Sequence, residues 1–254
     1  MQHQDTSWEN SSSWYDKIVG AKGHYYHQQV IIPGVLKLLE GEKKPQAHLL
    51  DLACGQGVLA RHLPKAMRYF GVDGSSALIH SAKQYNLKTS HQFVVHDLSH
   101  PLDLPSKDFT HATCILAVQN LHDPLPLFRT AHAHMRQGAP FIIVLNHPCF
   151  RIPRQSGWGV DEQKKLQYRR VDRYMTELKI PIQVQPSRNE ASEETWSFHH
   201  PLSYFTQQLR AAGFILSHIE EWCSDKKSVG KTATMENRSR QEFPLFMTLV
   251  ALKT

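Results

Sequence analysis

Leu49-Leu50-Asp51-Leu52-Ala53-Cys54-Gly55-Gln56-Gly57-Val58-Leu59-Ala60-Arg61 is the stretch that decides the fold. Apolar Ala47, Leu49, Leu50 and Leu52 run into a turn of small residues, after which Val58, Leu59, His62 and Leu63 recur at helical spacing. That order is a buried strand, a glycine turn and a helix start. Gly55 and Gly57 lack a Cβ, so the backbone can bend sharply there and a ligand can lie against it. The helix start adds unpaired N–H groups and a partial positive charge. A crevice at the carboxyl end of a parallel strand is where open α/β sheets bind nucleotides. The glycine spacing departs from the G-x-G-x-x-G of dinucleotide sites, which argues against a nicotinamide cofactor.

Working outward, Tyr69-Phe70-Gly71-Val72 reads as a second strand ending in Asp73. A carboxylate there, roughly 20 residues after the glycines, can accept two hydrogen bonds from ribose hydroxyls. A helix from Ser76 to Gln84 and a third strand from His91 to His96 follow, the latter ending in Asp97-Leu98. Then come a proline-rich loop (99–108), a fourth strand leading into Gln119-Asn120-Leu121-His122-Asp123-Pro124, a helix from Leu125 to Met135, and an apolar fifth strand from Phe141 to Leu145.

In this register, Asp51-Leu52-Ala53-Cys54-Gly55-Gln56-Gly57 resembles the first motif of class I methyltransferases that use S-adenosylmethionine (SAM), with Ala53 where that family often has its first glycine. Asp73-Gly74 and Asp97-Leu98 match the second and third motif positions. The Leu121-His122-Asp123-Pro124 turn, its helix and the strand after it resemble the small-molecule branch called methyltransferase type 11. The resemblance implies an α/β fold: a Rossmann-like, seven-stranded sheet with strand seven antiparallel and helices on both faces. It also implies an N-terminal helical cap (14–45), an insertion after strand five (147–200), SAM as cofactor, S-adenosylhomocysteine (SAH) as product, and no metal. The cofactor residues it implies are Tyr15, His24, Asp51, Ala53, Cys54, Gly55, Gly57, Asp73, Gly74, Asp97, Leu98, Leu116 and Asn120. Asp73 would meet the ribose, and Asp97 and Leu98 would flank the adenine. Tyr15, Lys22, His24 and Tyr25 are candidates to close the methionine end; packing of the leading segment onto the sheet would equally account for its aromatics.

Residues 1–13 are polar and serine-rich and read as a mobile tail before a single domain at 14–254. Helices are expected near 14–19 and over 24–40, with a kink at Pro33-Gly34, and a polar loop over 41–45. Residues 146–159 break all periodicity at the edge of the sheet where substrates bind. A helix is expected over 161–178, an extended excursion over 180–195, and a strand over 195–200. Leu202–Ala212 reads as a helix, Phe214–Glu221 and Phe243–Lys253 as strands six and seven, and 222–242 as a charged loop between them.

With 41% hydrophobic and 20% charged residues the chain has ordinary globular composition. No stretch approaches the roughly 20 apolar residues of a membrane span, and no charged-then-apolar signal sequence opens the chain, so a cytoplasmic location is expected. Four cysteines without a C-x-x-C pair read as reduced thiols. The 17 histidines fall into no metal spacing. The net charge of +6 permits an acidic partner. No basic stripe with interleaved aromatics is visible, though, and no Asn/Asp-Pro-Pro-aromatic string follows the fourth strand, so nucleic acid is not an expected partner.

The chemistry inferred is in-line attack of a nucleophilic acceptor on the sulfonium methyl. His122 and His147, both beyond strand ends, are candidate bases. Arg151, Arg154, Trp158 and His199 (or its neighbour His200) are candidate substrate residues, the arginines through forked hydrogen bonds to an anionic group. A protein or RNA acceptor, or a SAM- or SAH-binding regulator without turnover, are the alternatives.

Overall fold

The computed structural model describes residues 8–9, 12–20, 22–40, 47–183 and 194–254; the expected loop at 41–45 and most of the expected tail lie outside these. Ser12–Val19 forms α1, starting within the expected tail, and Ile32–Glu40 forms α2 after one wide π-type turn at His27–Ile31. The irregularity therefore falls ahead of Pro33-Gly34. Pro33 follows directly on that turn in an unbroken helical run, so its missing N–H falls where the wide turn has already displaced the regular hydrogen bonds.

His48–Leu52 (β1) is buried at every position, as a central parallel strand should be. The glycine turn leads into Val58–His62 (α3), a helix of only five residues. Pro64 stops it, holding Leu63 in an extended conformation. Arg68–Asp73 (β2), Ser76–Tyr85 (α4), His91–Val95 (β3), His111–Ile115 (β4), Leu125–His134 (α5) and Pro140–Asn146 (β5) follow. The chain then forms Ser156–Asp161 (β6), Leu166–Val171 (β7), Leu178–Gln183 (β8), Glu194–His199 (β9), Leu202–Ala211 (α6), Phe214–Trp222 (β10), Ala233–Glu242 (α7) and Phe246–Lys253 (β11).

Seven strands make one sheet in the order β10-β11-β5-β4-β1-β2-β3. β11 runs antiparallel to both of its neighbours, and the other pairs are parallel. This is the topology expected from the sequence. Strand alternation sends neighbouring side chains to opposite faces. Leu50 and Leu52 pack with Leu127 and Phe128 of α5 and Phe205 and Leu209 of α6. Leu49 and Tyr69 pack with Val35 of α2, Leu59 of α3 and Ile79 of α4 on the other face. The strand order reverses between β1 and β4, so their carboxyl ends open a crevice there.

Two expectations are corrected. The helix expected over 161–178 is absent: β6 and β7 pair antiparallel through 156–171. Glu162–Lys165 closes this hairpin, with Lys165 left-handed (φ 49°) and Asp161 Oδ1 accepting from the Lys164 N–H at 2.9 Å. Pairing across a four-residue hairpin turn has overridden the helix-favouring Glu, Gln and Lys residues. The loop expected over 222–242 contains α7, whose buried residue is the polar Ser239, so no apolar stripe announces it. The expected excursion at 180–195 begins and ends in β8 and β9, which pair antiparallel; residues 184–193 lie outside the described set.

Candidate functional site

Ala53 (φ 59°), Gly55 (φ 54°) and Gly57 (φ 69°) all adopt left-handed conformations within five residues. That geometry curls the turn tightly out of β1, and it is why small residues and glycines stand there. The two glycines serve different sides. A Cβ on Gly55 would meet the Tyr15 hydroxyl at 3.6 Å, across the crevice. A Cβ on Gly57 would strike Asn86 Nδ2 at 2.8 Å and Phe93 at 3.0 Å, so Gly57 lets α4 and β3 approach and does not face the crevice.

Asp73 ends β2 directly beside the turn. Its Oδ2 accepts from the Gly55 N–H at 2.8 Å and its Oδ1 from the Ser75 N–H at 2.9 Å. Burial pushes its pKa up, and these two backbone bonds pull it back. Each oxygen keeps acceptor capacity for a ligand hydroxyl. Asp51 has a different job. It is fully buried and accepts from Tyr69 Oη at 2.6 Å and Thr113 Oγ1 at 2.7 Å, tying β1 to β2 and β4. Burial pushes it to about 6, against those two hydrogen bonds. Asp51 and Cys54 border only a small adjoining space of about 40 Å³.

The crevice opens into a cavity of about 1480 Å³. Of the residues expected from the sequence, Tyr15, Ala53, Gly55, Asp73, Gly74, Asp97, Leu98, Leu116, Asn120 and His122 line it. Leu98 is buried, while Asp97 is exposed and accepts from the Ser99 N–H at 2.9 Å. Leu116 is itself left-handed (φ 54°) where β4 breaks into a short 3-10 turn, Val118–Asn120. The His122 ring stands edge-on to Phe198 of β9, at 5.4 Å.

Other expected residues lie elsewhere. His147 is buried with both ring nitrogens engaged: Nε2 donates to Glu221 Oε1 at 2.7 Å, and Nδ1 accepts from the Cys149 N–H at 3.2 Å. Both nitrogens of the ring are thus taken up by protein groups, and His147 does not line the cavity. His199 is buried, with Nε2 donating to the Tyr174 carbonyl at 2.8 Å. His200 stacks on Tyr204 at 3.8 Å, also away from the cavity. Trp158 packs on Phe243 and under Arg169, and Arg154 is exposed; neither lines the cavity. Arg151 acts one residue behind the wall, donating from Nη1 to Asn146 Oδ1 at 2.9 Å. Of the leading segment, Lys22, His24 and Tyr25 are exposed, and Tyr25 binds Asp225.

Sequence reasoning assigned no site role to Trp8, Glu9, His27, Gln119 or Ile182, which line the cavity; Asn146, Thr195 and Phe198, which line it too, lie within the 146–160 and 195–200 stretches expected to border it but were not singled out. His27, one helical turn beyond His24, is the histidine that turns inward, and burial pushes its pKa down to about 4. Ile182 and Phe198 carried no signal, because inward apolar residues of a strand pair read the same whether they face a core or a cavity. Among the described residues no group of His, Cys, Asp and Glu side chains could hold a metal ion, and no helix is long and apolar enough to cross a membrane.

A left-handed backbone cradle, a half-satisfied buried carboxylate and a buried leucine at the next strand end fit an adenosyl group. Comparison with known proteins agrees. A methyltransferase-domain family matches residues 23–219. No curated protein matches the chain. Among solved structures, a SAM-dependent methyltransferase from Mesorhizobium loti is 23% identical with a TM-score of 0.66, covering 86% of this chain and 96% of its own. One from Clostridium acetobutylicum is 18% identical with a TM-score of 0.62, covering 97% and 98%. The glycopeptide N-methyltransferase MtfA, in complex with SAM, is 13% identical with a TM-score of 0.59, covering 88% and 94%. At these identities the structures speak for the fold, while the family match spans most of the chain. Sequence register, sheet order and matched domain converge on one conclusion: this chain belongs to the methyltransferase-domain family and is a class I SAM-dependent methyltransferase.

Proposed function

We propose that the chain methylates a small-molecule acceptor held in the same cavity as SAM. The observation carrying this reading is the cavity itself. Its volume of about 1480 Å³ exceeds the roughly 300–1,000 Å³ of a single-ligand pocket. Beyond Leu116 the walls combine Leu121, Pro126, Pro153, Ile182 and Phe198 with polar Asn146, Lys179, Thr195 and Ser197, most of them from the segment inserted after β5. An end of mixed apolar and polar lining suits a compact organic acceptor that carries polar groups, held beside the cofactor.

In this reading Asp73 holds the ribose, Gly74, Asp97 and Leu98 border the adenine, and the Ala53–Gly55 backbone with Tyr15 encloses the methionine end. Leu116 and Asn120 separate donor from acceptor. SAM supplies a methyl group already activated by the sulfonium charge. The chain contributes proximity, alignment and exclusion of water, together worth roughly 7–11 kcal/mol in favourable cases. His122, on the cavity wall against Phe198, takes the proton of a hydroxyl or phenol acceptor.

Transfer of tritiated methyl from SAM into a fractionated lysate tests the reading. Label in the low-mass fraction supports it. Label confined to RNA or protein overturns it in favour of a macromolecular acceptor, and tight SAM binding without transfer would mark a regulator. His122→Ala is expected to lower kcat by about 10²–10⁴-fold while leaving SAM affinity unchanged.

A further inference from the structure

Part of the expected tail belongs to the cavity wall. Trp8 and Glu9 line it together with Asp73 and Ser76. The Glu9 carboxylate accepts from Ser75 Oγ and Ser76 Oγ, each at 2.6 Å, and from the Ala77 N–H at 3.2 Å. It therefore sits on the N-terminus of α4, where unpaired N–H groups and the helix dipole favour an anion. The Trp8 ring stands edge-on to Tyr15 at 5.6 Å. Tyr15 reaches to Gly55, and Ser81 Oγ of α4 donates to Asp16 of α1. Contacts thus run unbroken from the start of α4, across the cavity mouth, to the glycine turn.

Helix capping accounts for only part of what Glu9 does. It takes up the Ala77 N–H, while Ser75 already caps α4, its side chain accepting from the Leu78 N–H at 3.1 Å. The Glu9 carboxylate also holds two serine hydroxyls and stands close to buried Asp73.

We propose that Glu9 is a positioning residue of the cofactor site: its carboxylate latches Trp8 and α1 across the adenosyl end of the cavity, and breaking this latch lets cofactor and product exchange. The inference rests on the reading that this end of the cavity holds SAM. Opening requires three hydrogen bonds to a charged acceptor to be given up together, and charge-assisted bonds are the stronger kind.

The test is the dissociation rate of tritiated SAM and of tritiated SAH from the full-length chain. Glu9→Ala is expected to release both at least tenfold faster, with Glu9→Gln intermediate. Ser76→Ala, which removes one latch bond and leaves the Ser75 cap intact, is expected to speed release by a smaller factor. The thermal midpoint of the ligand-free protein should barely change in any of them. Unchanged release from Glu9→Ala would overturn the latch, whether or not stability falls. Tighter binding with faster association would also overturn it, because Glu9 would then obstruct the site. Failure of the wild-type chain to bind SAM at all would overturn the site reading, and the latch with it.

Discussion

Two carboxylates on adjacent strand ends do opposite work, and their hydrogen bonds say which. Asp73 is held by two backbone N–H groups, which fix its oxygens beside the glycine turn and keep them acceptors. Asp73→Asn would set an amide NH₂ against one of those donors. SAM affinity should fall at least tenfold by calorimetric titration, and unchanged affinity in folded protein would remove Asp73 from the site. Asp51 is a structural pivot, satisfied by the hydroxyls of Tyr69 and Thr113. Asp51→Ala strands both, at a cost on the order of 3 kcal/mol, readable in urea unfolding. Adding Tyr69→Phe should cost less than the sum of the single changes, because the stranded hydroxyl is then removed as well.

At the scale of elements, α2 crosses β10 where Gly34 faces Trp222. A Cβ on Gly34 would lie 2.5 Å from the indole ring. Gly34→Ala should therefore destabilise by about 1–3 kcal/mol despite the better helix propensity of alanine. A stabilising result would mean that the ring moves aside freely. The elements of the central sheet were legible because each carries its own signal: a buried apolar run, a strand-end aspartate, a cap such as Ser75, a glycine after a helix. The insertion was less so. In 161–178, helix-favouring residues hide a hairpin whose signals are Gly157, Gly159 and the alternation of Leu166, Tyr168 and Arg170; Tyr168 lies directly over Gly159. α7 has no apolar face to read. That Gly55, Asp73 and Asp97-Leu98 line the cavity was legible, because the backbone there demands particular residues. Ile182, Thr195 and Phe198 were not singled out, since they reach the cavity through the pairing of β8 with β9.

Over the whole molecule, histidines held neutral by burial contribute to the response to acid. Burial holds His27 and His91 near 4, below their ordinary value of 6.5. The unfolded chain takes up these protons as pH falls below 6.5, while the folded chain resists until near 4, so stability contributed by their neutral forms is lost across that window. Asp51, raised to about 6, works in the opposite direction between its ordinary value of 3.8 and 6. A difference between variants isolates one group: His91→Phe should flatten the fall in urea midpoint between pH 7 and pH 5, and an unaltered slope would show that His91 does not carry it. The largest claim at this scale is that one cavity, bounded by the turn after β1 and the ends of β2 and β3, receives the adenosyl group. A crystal structure of the chain with SAH bound tests it most directly. The account predicts ribose hydroxyls on the Asp73 carboxylate and adenine against Leu98; a nucleoside bound at any other place, with Asp73 still holding only Gly55 and Ser75, would contradict it.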